Sequence, residues 1–248
     1  MKTIDTDIEK LFECLKLCKP YFSDTWKLKY NAFLLEEHLF RLAKIGWPYL
    51  KNENITFTLP SQFITQIQFT ELPIQRLKEG FESIVNRETT DYERSELITL
   101  AAQIEDINIE DLLILYGQRL SSTSWNTIEA LPPNYETLLK ACLKPFNRHL
   151  SIGVKQWEKH EGRPGDTFWP TRTGNSAEKE EKVKGLIEHL FEYLEWWNTY
   201  FHYQHEMVFE IRTKTGHGMR WKLEDLSFIG FLEPFIDFEY KPDSIKKV

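Results

Sequence analysis

The sequence predicts an α+β protein: a helical N-terminal half packed with a C-terminal unit of one long helix and an antiparallel β-meander. Three observations carry this expectation. Apolar residues recur at three- and four-residue spacing through most of the first 145 positions. A continuous apolar seam then runs Val183, Ile187, Leu190, Leu194, Trp197, Phe201. Beyond it the apolar period drops from about 3.6 to two.

In the N-terminal half the spacing predicts helices over Ile4–Leu17, Tyr30–Ile45, Pro73–Val85, Asp91–Ile104, Ile109–Leu120 and Asn134–Leu143. Between the second and third, Pro48 and a polar run interrupt the pattern. The strictly alternating Ile55–Leu59 then reads as a short strand ended by Pro60. In the C-terminal half Ser151–Trp157 reads as an extended segment, and 161–175 as a polar loop. Asn175 with Glu178 three residues on is a helix-start signature, so the long helix is placed from about Ser176 to His205. Met207–Thr215, Met219–Lys222 and Leu226–Glu233 read as three strands joined by turn-like segments. With no long flexible linker, the whole chain, 1–248, is expected to be one integrated domain. Its mainly helical part is 1–145, and the helix and sheet of 148–240 carry the site.

Composition narrows the function classes. The chain has 248 residues and a net charge of −7. Lys plus Arg against Asp plus Glu is 17 to 21 over residues 1–150 and 14 to 17 over 151–248, so neither half is basic. The expectation is therefore no non-specific nucleic-acid binding and no membrane surface contact. An acidic N-terminus without an apolar run, and no stretch near the roughly 20 apolar residues needed to span a bilayer, lead to the expectation of a soluble cytoplasmic or nuclear protein. Cys14, Cys18 and Cys142 sit on core-like faces and read as buried thiols. Nucleotide-loop, nucleophile-elbow, dinucleotide-fold and Cys-x-x-Cys signatures are all missing from the sequence.

Reactive side chains concentrate late in the chain. From His149 onward lie six of the seven histidines, eight of the eleven glycines and five of the eight tryptophans. Three constellations follow. On the long helix, Glu195, Asn198, His202 and Glu206 form a stripe with His205 beside it. His202, His205 and Glu206 could act as acid–base groups or share a divalent metal such as Zn²⁺, Fe²⁺ or Mn²⁺; alternatively the histidines simply bond the helix end. The turn Gly216-His217-Gly218 brings His217 near Arg220, a fork for an anion, and Trp221, a stacking surface. The loop before the helix offers Arg163, Asp166, Trp169 and Arg172 close to free helix amides. Arg212 and Arg220 could complete a ring of guanidiniums, while Glu210 and Glu233 are carboxylates in apolar strands that face either solvent or an Arg. The leading expectation is a small anionic-ligand pocket in the C-terminal half, with His acid–base chemistry as its catalytic form. The alternatives are a non-enzymatic adaptor that docks a protein partner through aromatics, and a metal-dependent enzyme. Whether the chain is an enzyme, and its oligomeric state, are left open.

Overall fold

A computed structural model describes residues 5–51, 63, 70–160, 168–204 and 206–234. These fall into two compact units. The first comprises the described residues of 1–58, 64–120 and 125–131; the second those of 59–63, 121–124 and 132–248. The expected Ile55–Leu59 strand lies outside the described residues.

The first unit is helical. Helix α1 spans Thr6–Cys18, α2 Asp24–Tyr30, α3 Glu36–Arg41, α4 Trp47–Lys51, α5 Glu71–Val85, α6 Arg94–Glu105 and α7 Ile109–Leu115. Asp5 caps α1 by accepting from the Asp7 amide. Leu11, Cys14, Leu15 and Cys18 form its buried face, which packs against α3, α5 and α6. The predicted Tyr30–Ile45 helix is shorter and irregular: a 3-10 turn over Asn31–Leu34, then α3, then a π turn over Leu42–Gly46 that runs into α4. Pro48 is the second residue of α4, directly after the π turn, and the helical run passes through it instead of breaking.

The second unit is the expected α+β assembly. Helix α8 spans Tyr135–Cys142, α9 Ile152–Trp157 and α10 Ser176–Glu192; the strands are β1 Leu194–His202, β2 Glu206–Thr213, β3 Gly218–Lys222 and β4 Phe228–Leu232. The four strands form an antiparallel meander in the order β1-β2-β3-β4. Strands β2, β3 and β4 occupy the three segments that alternate in sequence. Two expectations need correction. Ser151–Trp157 is helix α9 with Ser151 as its N-cap, its hydroxyl accepting from the Val154 amide. The long helix stops at Glu192, and its last predicted turns are strand β1.

The reason for the second error is physical. Asn175 and Glu178 form the full capping box at the start of α10, and Val183, Ile187 and Leu190 are buried on its inner face. The apolar spacing continues through Leu194 and Trp197 because both are also buried. Yet the run Trp196-Trp197-Asn198-Thr199-Tyr200-Phe201 is dense in aromatic and β-branched residues that suit a pleated surface covered on both sides. Phe201, the last residue of the supposed seam, is 52% exposed.

Register then sorts the side chains. Trp197 pairs with Ile211, Thr199 with Phe209, and Phe209 with Trp221. Trp197, Phe209, Ile211, Met219 and Trp221 are all fully buried on this face. Phe191 of α10 packs 5.9 Å from Trp221, so the helices cover it. Each large side chain buried here contributes about 2–3 kcal/mol. The opposite face carries Trp196, Asn198, Tyr200 and His202 of β1, Val208, Glu210 and Arg212 of β2, and Arg220 and Lys222 of β3, with Trp196 and Val208 buried among the polar groups. Along the outer edge of β1, the Phe201 amide donates to Thr123 O, and Ser124 bridges Tyr200. Phe63 lies edge-on to Trp196 at 5.0 Å.

Candidate active site on the polar face of the sheet

Glu210 is the centre of the polar face. Its side chain is wholly buried, and both carboxylate oxygens are engaged. Oε1 accepts from Arg212 Nε at 2.6 Å. Oε2 accepts from the Tyr200 hydroxyl at 2.7 Å and from Arg220 Nε at 2.8 Å. Burial pushes the carboxyl pKa up, but the Arg212 and Arg220 guanidiniums outweigh it and hold Glu210 below the ordinary carboxylate value. It is therefore an ionised anchor, with its lone pairs committed.

Tyr200 and Arg220 complete the network. Arg220 Nη2 donates to the Tyr200 oxygen at 2.8 Å while that hydroxyl donates to Glu210. Burial and the adjacent carboxylate push the Tyr200 hydroxyl well above its usual range, so it stays protonated. For Arg220 burial works against the charge, but Glu210 more than offsets this and the guanidinium is held charged. Its Nη1 faces His202 Nε2 at 3.1 Å. An arginine only donates, so Nε2 must accept. His202 Nδ1 meets a second donor, the Gln204 amide, at 3.2 Å. A neutral imidazole has one lone pair, so the ring satisfies only one of these donors at a time. Both ring nitrogens of the half-buried His202 thus face donors, at the rim of a fixed cation.

A second cluster occupies the far end of β2. His217 is buried in the β2–β3 turn, stacked on Phe168 at 3.8 Å and edge-on to Trp169 at 5.3 Å. His160 Nδ1 pairs with Glu233 Oε1 at 3.1 Å, and its ring packs on Trp169. Arg212 joins the two clusters: besides its bond to Glu210, Nη1 donates to Gly216 O at 2.6 Å and to Glu233 O at 2.5 Å.

The structure thus sorts the candidate residues. It brings Glu210, Arg212, Arg220 and His202 together, and adds Tyr200 and Lys222, which the helical reading of β1 and the focus on histidines passed over. The period-two pattern Asn198, Tyr200, His202 against Trp197, Thr199, Phe201 was the available signal. It does not bring His202 to the turn holding His217 and Trp169, since these lie at opposite ends of β2, so the three constellations do not converge on one pocket. Trp221 points into the helix-covered core, not beside Arg220. Trp169 is buried, Arg172 is exposed with Nη1 donating to Glu158 O at 3.3 Å, and Glu233 faces His160. Arg163, Asp166 and His205 lie outside the described residues. The helical stripe proposed for a metal does not exist: His202 and Glu206 are cross-strand partners at the β1–β2 turn. Among the described residues no three His, Cys, Asp or Glu side chains gather as a metal site, and no helix is long and apolar enough to cross a membrane.

Fold and site together define a helix-backed antiparallel sheet whose other face holds a clasped guanidinium, a tyrosine and an imidazole. A family model described as the CdiA C-terminal tRNase toxin domain matches residues 140–233. The match begins inside α8, ends at Glu233, takes in both clusters, and spans well under half of the chain. No curated protein and no solved structure matches the chain.

This match overturns the expected functions and the exclusion of nucleic acid. A tRNase toxin domain is a nuclease, so the small anionic-ligand pocket, the aromatic adaptor and the metal-dependent enzyme using the His/His/Glu stripe are all set aside, and with them the ligand-binding description. The exclusion of nucleic acid also falls, because such a domain takes RNA. Net charge was the wrong gauge. It sums the whole chain, whereas an RNA backbone meets only the cations local to its binding surface.

Proposed function

We propose that residues 132–234 form a ribonuclease that cleaves tRNA on the polar face of the sheet. The family match supports the class of substrate. The observation that carries the assignment of the site is the Arg220 guanidinium, fixed by Glu210 and Tyr200 and set against the His202 imidazole.

RNA supplies its own nucleophile, the 2′-hydroxyl beside each phosphodiester. Its oxygen attacks phosphorus, forming O2′–P as P–O5′ breaks, and leaves a 2′,3′-cyclic phosphate and a 5′-hydroxyl. His202 exchanges the Gln204 amide for the 2′-hydroxyl at Nδ1, takes its proton there and returns it to O5′, so the proton count closes on one imidazole. Arg220 binds the phosphate oxygens as negative charge builds on them, and a donor that needs no reorganisation is most effective there. Glu210 and Tyr200 are positioning residues. They touch no reacting atom and keep the guanidinium aimed.

The test uses the full chain and total tRNA. Arg220→Ala and His202→Ala should each slow cleavage by about 100-fold or more while circular dichroism is unchanged. The 3′ fragments should accept phosphate from a polynucleotide kinase without prior dephosphorylation. A folded wild-type protein that leaves tRNA intact, or cleavage indifferent to both substitutions, would refute the reading.

A further inference from the structure

We infer that Tyr203, at the tip of the β1–β2 connection, is a stacking platform for one unpaired nucleobase next to the scissile phosphate, so that the substrate is a single-stranded loop of the RNA and not a paired stem. The inference rests on the ribonuclease reading and specifies which part of the RNA the site takes.

Tyr203 follows the candidate proton acceptor directly and stacks on it, the two rings 4.8 Å apart and 27° from parallel. It is 81% exposed, more than any other aromatic side chain among the described residues. A tyrosine so open normally turns its ring into a neighbouring groove; this one spends one face on His202 and leaves the other to solvent. Glu206, at φ +60, closes the connection in a left-handed conformation that an L residue adopts only at a cost. The chain therefore holds a strained turn where Tyr203 projects.

A base placed on the open face of Tyr203 continues the column that ends at His202. Its sugar and phosphate then lie within one nucleotide of His202 and Arg220. On the same face Lys222 shares a row with Tyr200 through Val208, and it is exposed to receive a neighbouring phosphate. A base inside a duplex has both faces covered by its neighbours, so only an unstacked nucleotide fits this column. Stacking reads no base edge, so the subsite tolerates any of the four bases.

The experiment uses the full-length protein and a stem-loop RNA with 2′-O-methyl riboses, which has no free 2′-hydroxyl to attack, carrying 2-aminopurine in its loop. Stacking quenches this base, so the signal reports the contact itself. Wild type is expected to bind with quenching. Tyr203→Ala should bind about 10-fold more weakly and without the quench, while Tyr203→Phe and Tyr203→Trp keep both. The same probe annealed to its complement should give no quench. Unchanged affinity and quenching in Tyr203→Ala, quenching by the duplex, or no binding of the stem-loop by wild type would each overturn the inference. If Tyr203-dependent quenching is present but unmodified stem-loop and tRNA both survive incubation, the ribonuclease reading fails and the stacking site stands.

Discussion

Glu210 and Arg220 face each other across β2 and β3 as register partners, with Arg220 Nε 2.8 Å from Glu210 Oε2. A charged pair on a sheet face normally sits in solvent and contributes little. Here the carboxylate is completely buried and serves two arginines and a tyrosine at once. The pair is best understood as a mounting. One anion fixes Arg220 beside His202 and Arg212 for the turn carbonyls, so the geometry of the face and the closure of the β2–β3 hairpin depend on the same side chain.

Glu210→Gln tests that dependence. The substitution keeps the shape and removes the charge, leaving two guanidiniums with a neutral acceptor in a buried position. Loss of one partner from a buried charge network costs about 3–5 kcal/mol. The expected outcome is a Tm lowered by many degrees and cleavage lost with it. Glu210→Asp, which keeps the charge but shortens the reach, should fall between. A thermal melt that matches wild type would mean that the buried carboxylate is not the anchor.

The acid side of the same group has a defined sign. Glu210 is held below its ordinary value of 4.5, so its stabilising contribution is present above that value and is lost as pH falls below it. Unfolding of wild type between pH 5 and pH 3, followed by near-ultraviolet circular dichroism, should steepen below about pH 4.5. The Gln variant should lack that extra slope.

Lys222 is exposed on the polar face, and the phosphate contact proposed for it predicts a salt effect. Each phosphate neutralised on a single strand contributes about 0.7 to the slope of log affinity against log salt. Lys222→Ala should therefore weaken binding of the uncleavable stem-loop about uniformly across loop sequences and reduce that slope by close to one contact. An unchanged slope from low to high potassium chloride would remove Lys222 from the binding surface.

Gly218 approaches its own hairpin closely. A Cβ built there would lie 2.0 Å from Ile211 O, and Gly216 in the same turn has φ +86. Gly218→Ala cannot be accommodated without separating β2 from β3, and should cost several kcal/mol through the clash of its Cβ with the Ile211 carbonyl. Loss of protection in hydrogen exchange at Ile211 and Arg212 would show it directly; protection equal to wild type would contradict the geometry.

How far the sequence carried can be judged from particular residues. The meander was legible because Val208, Glu210 and Arg212 alternate with Phe209 and Ile211, and the start of α10 because Asn175 and Glu178 complete a capping box. Strand β1 was not legible, since Leu194, Trp197 and Phe201 keep a helical spacing while the flanking aromatics ask for a sheet. Periodicity cannot arbitrate where both faces of a strand are covered. The site suffered from that error directly: misplacing β1 moved His202 onto a helix, paired it with the wrong neighbours, and hid Tyr200. Arg220 and Glu210 were named, but their partnership was not, because register is set by tertiary pairing and a slip of one residue exchanges the faces.

The helical unit carries its own titration. His38 is 2% exposed, and its Nδ1 accepts from Arg41 Nη1 at 3.2 Å. Burial first, and then the Arg41 guanidinium, lower its pKa from 6.5 to about 3. The folded protein therefore keeps His38 neutral at pH values where the unfolded chain would protonate it. Stability from this group is complete above about pH 6.5 and declines as pH falls towards 3, by at most about 1.4 kcal/mol per pH unit and roughly 5 kcal/mol in all. His38→Gln keeps an acceptor for Arg41 and removes the titration. Amide exchange in α1 and α3, measured from pH 7 to pH 5 and corrected for intrinsic rates, should show opening free energies that fall with pH in wild type and stay flat in the variant. The window lies above the range in which Glu210 takes up its proton, so the two effects separate on the pH axis. Parallel slopes in the two proteins would mean that His38 takes up its proton without loss of the fold.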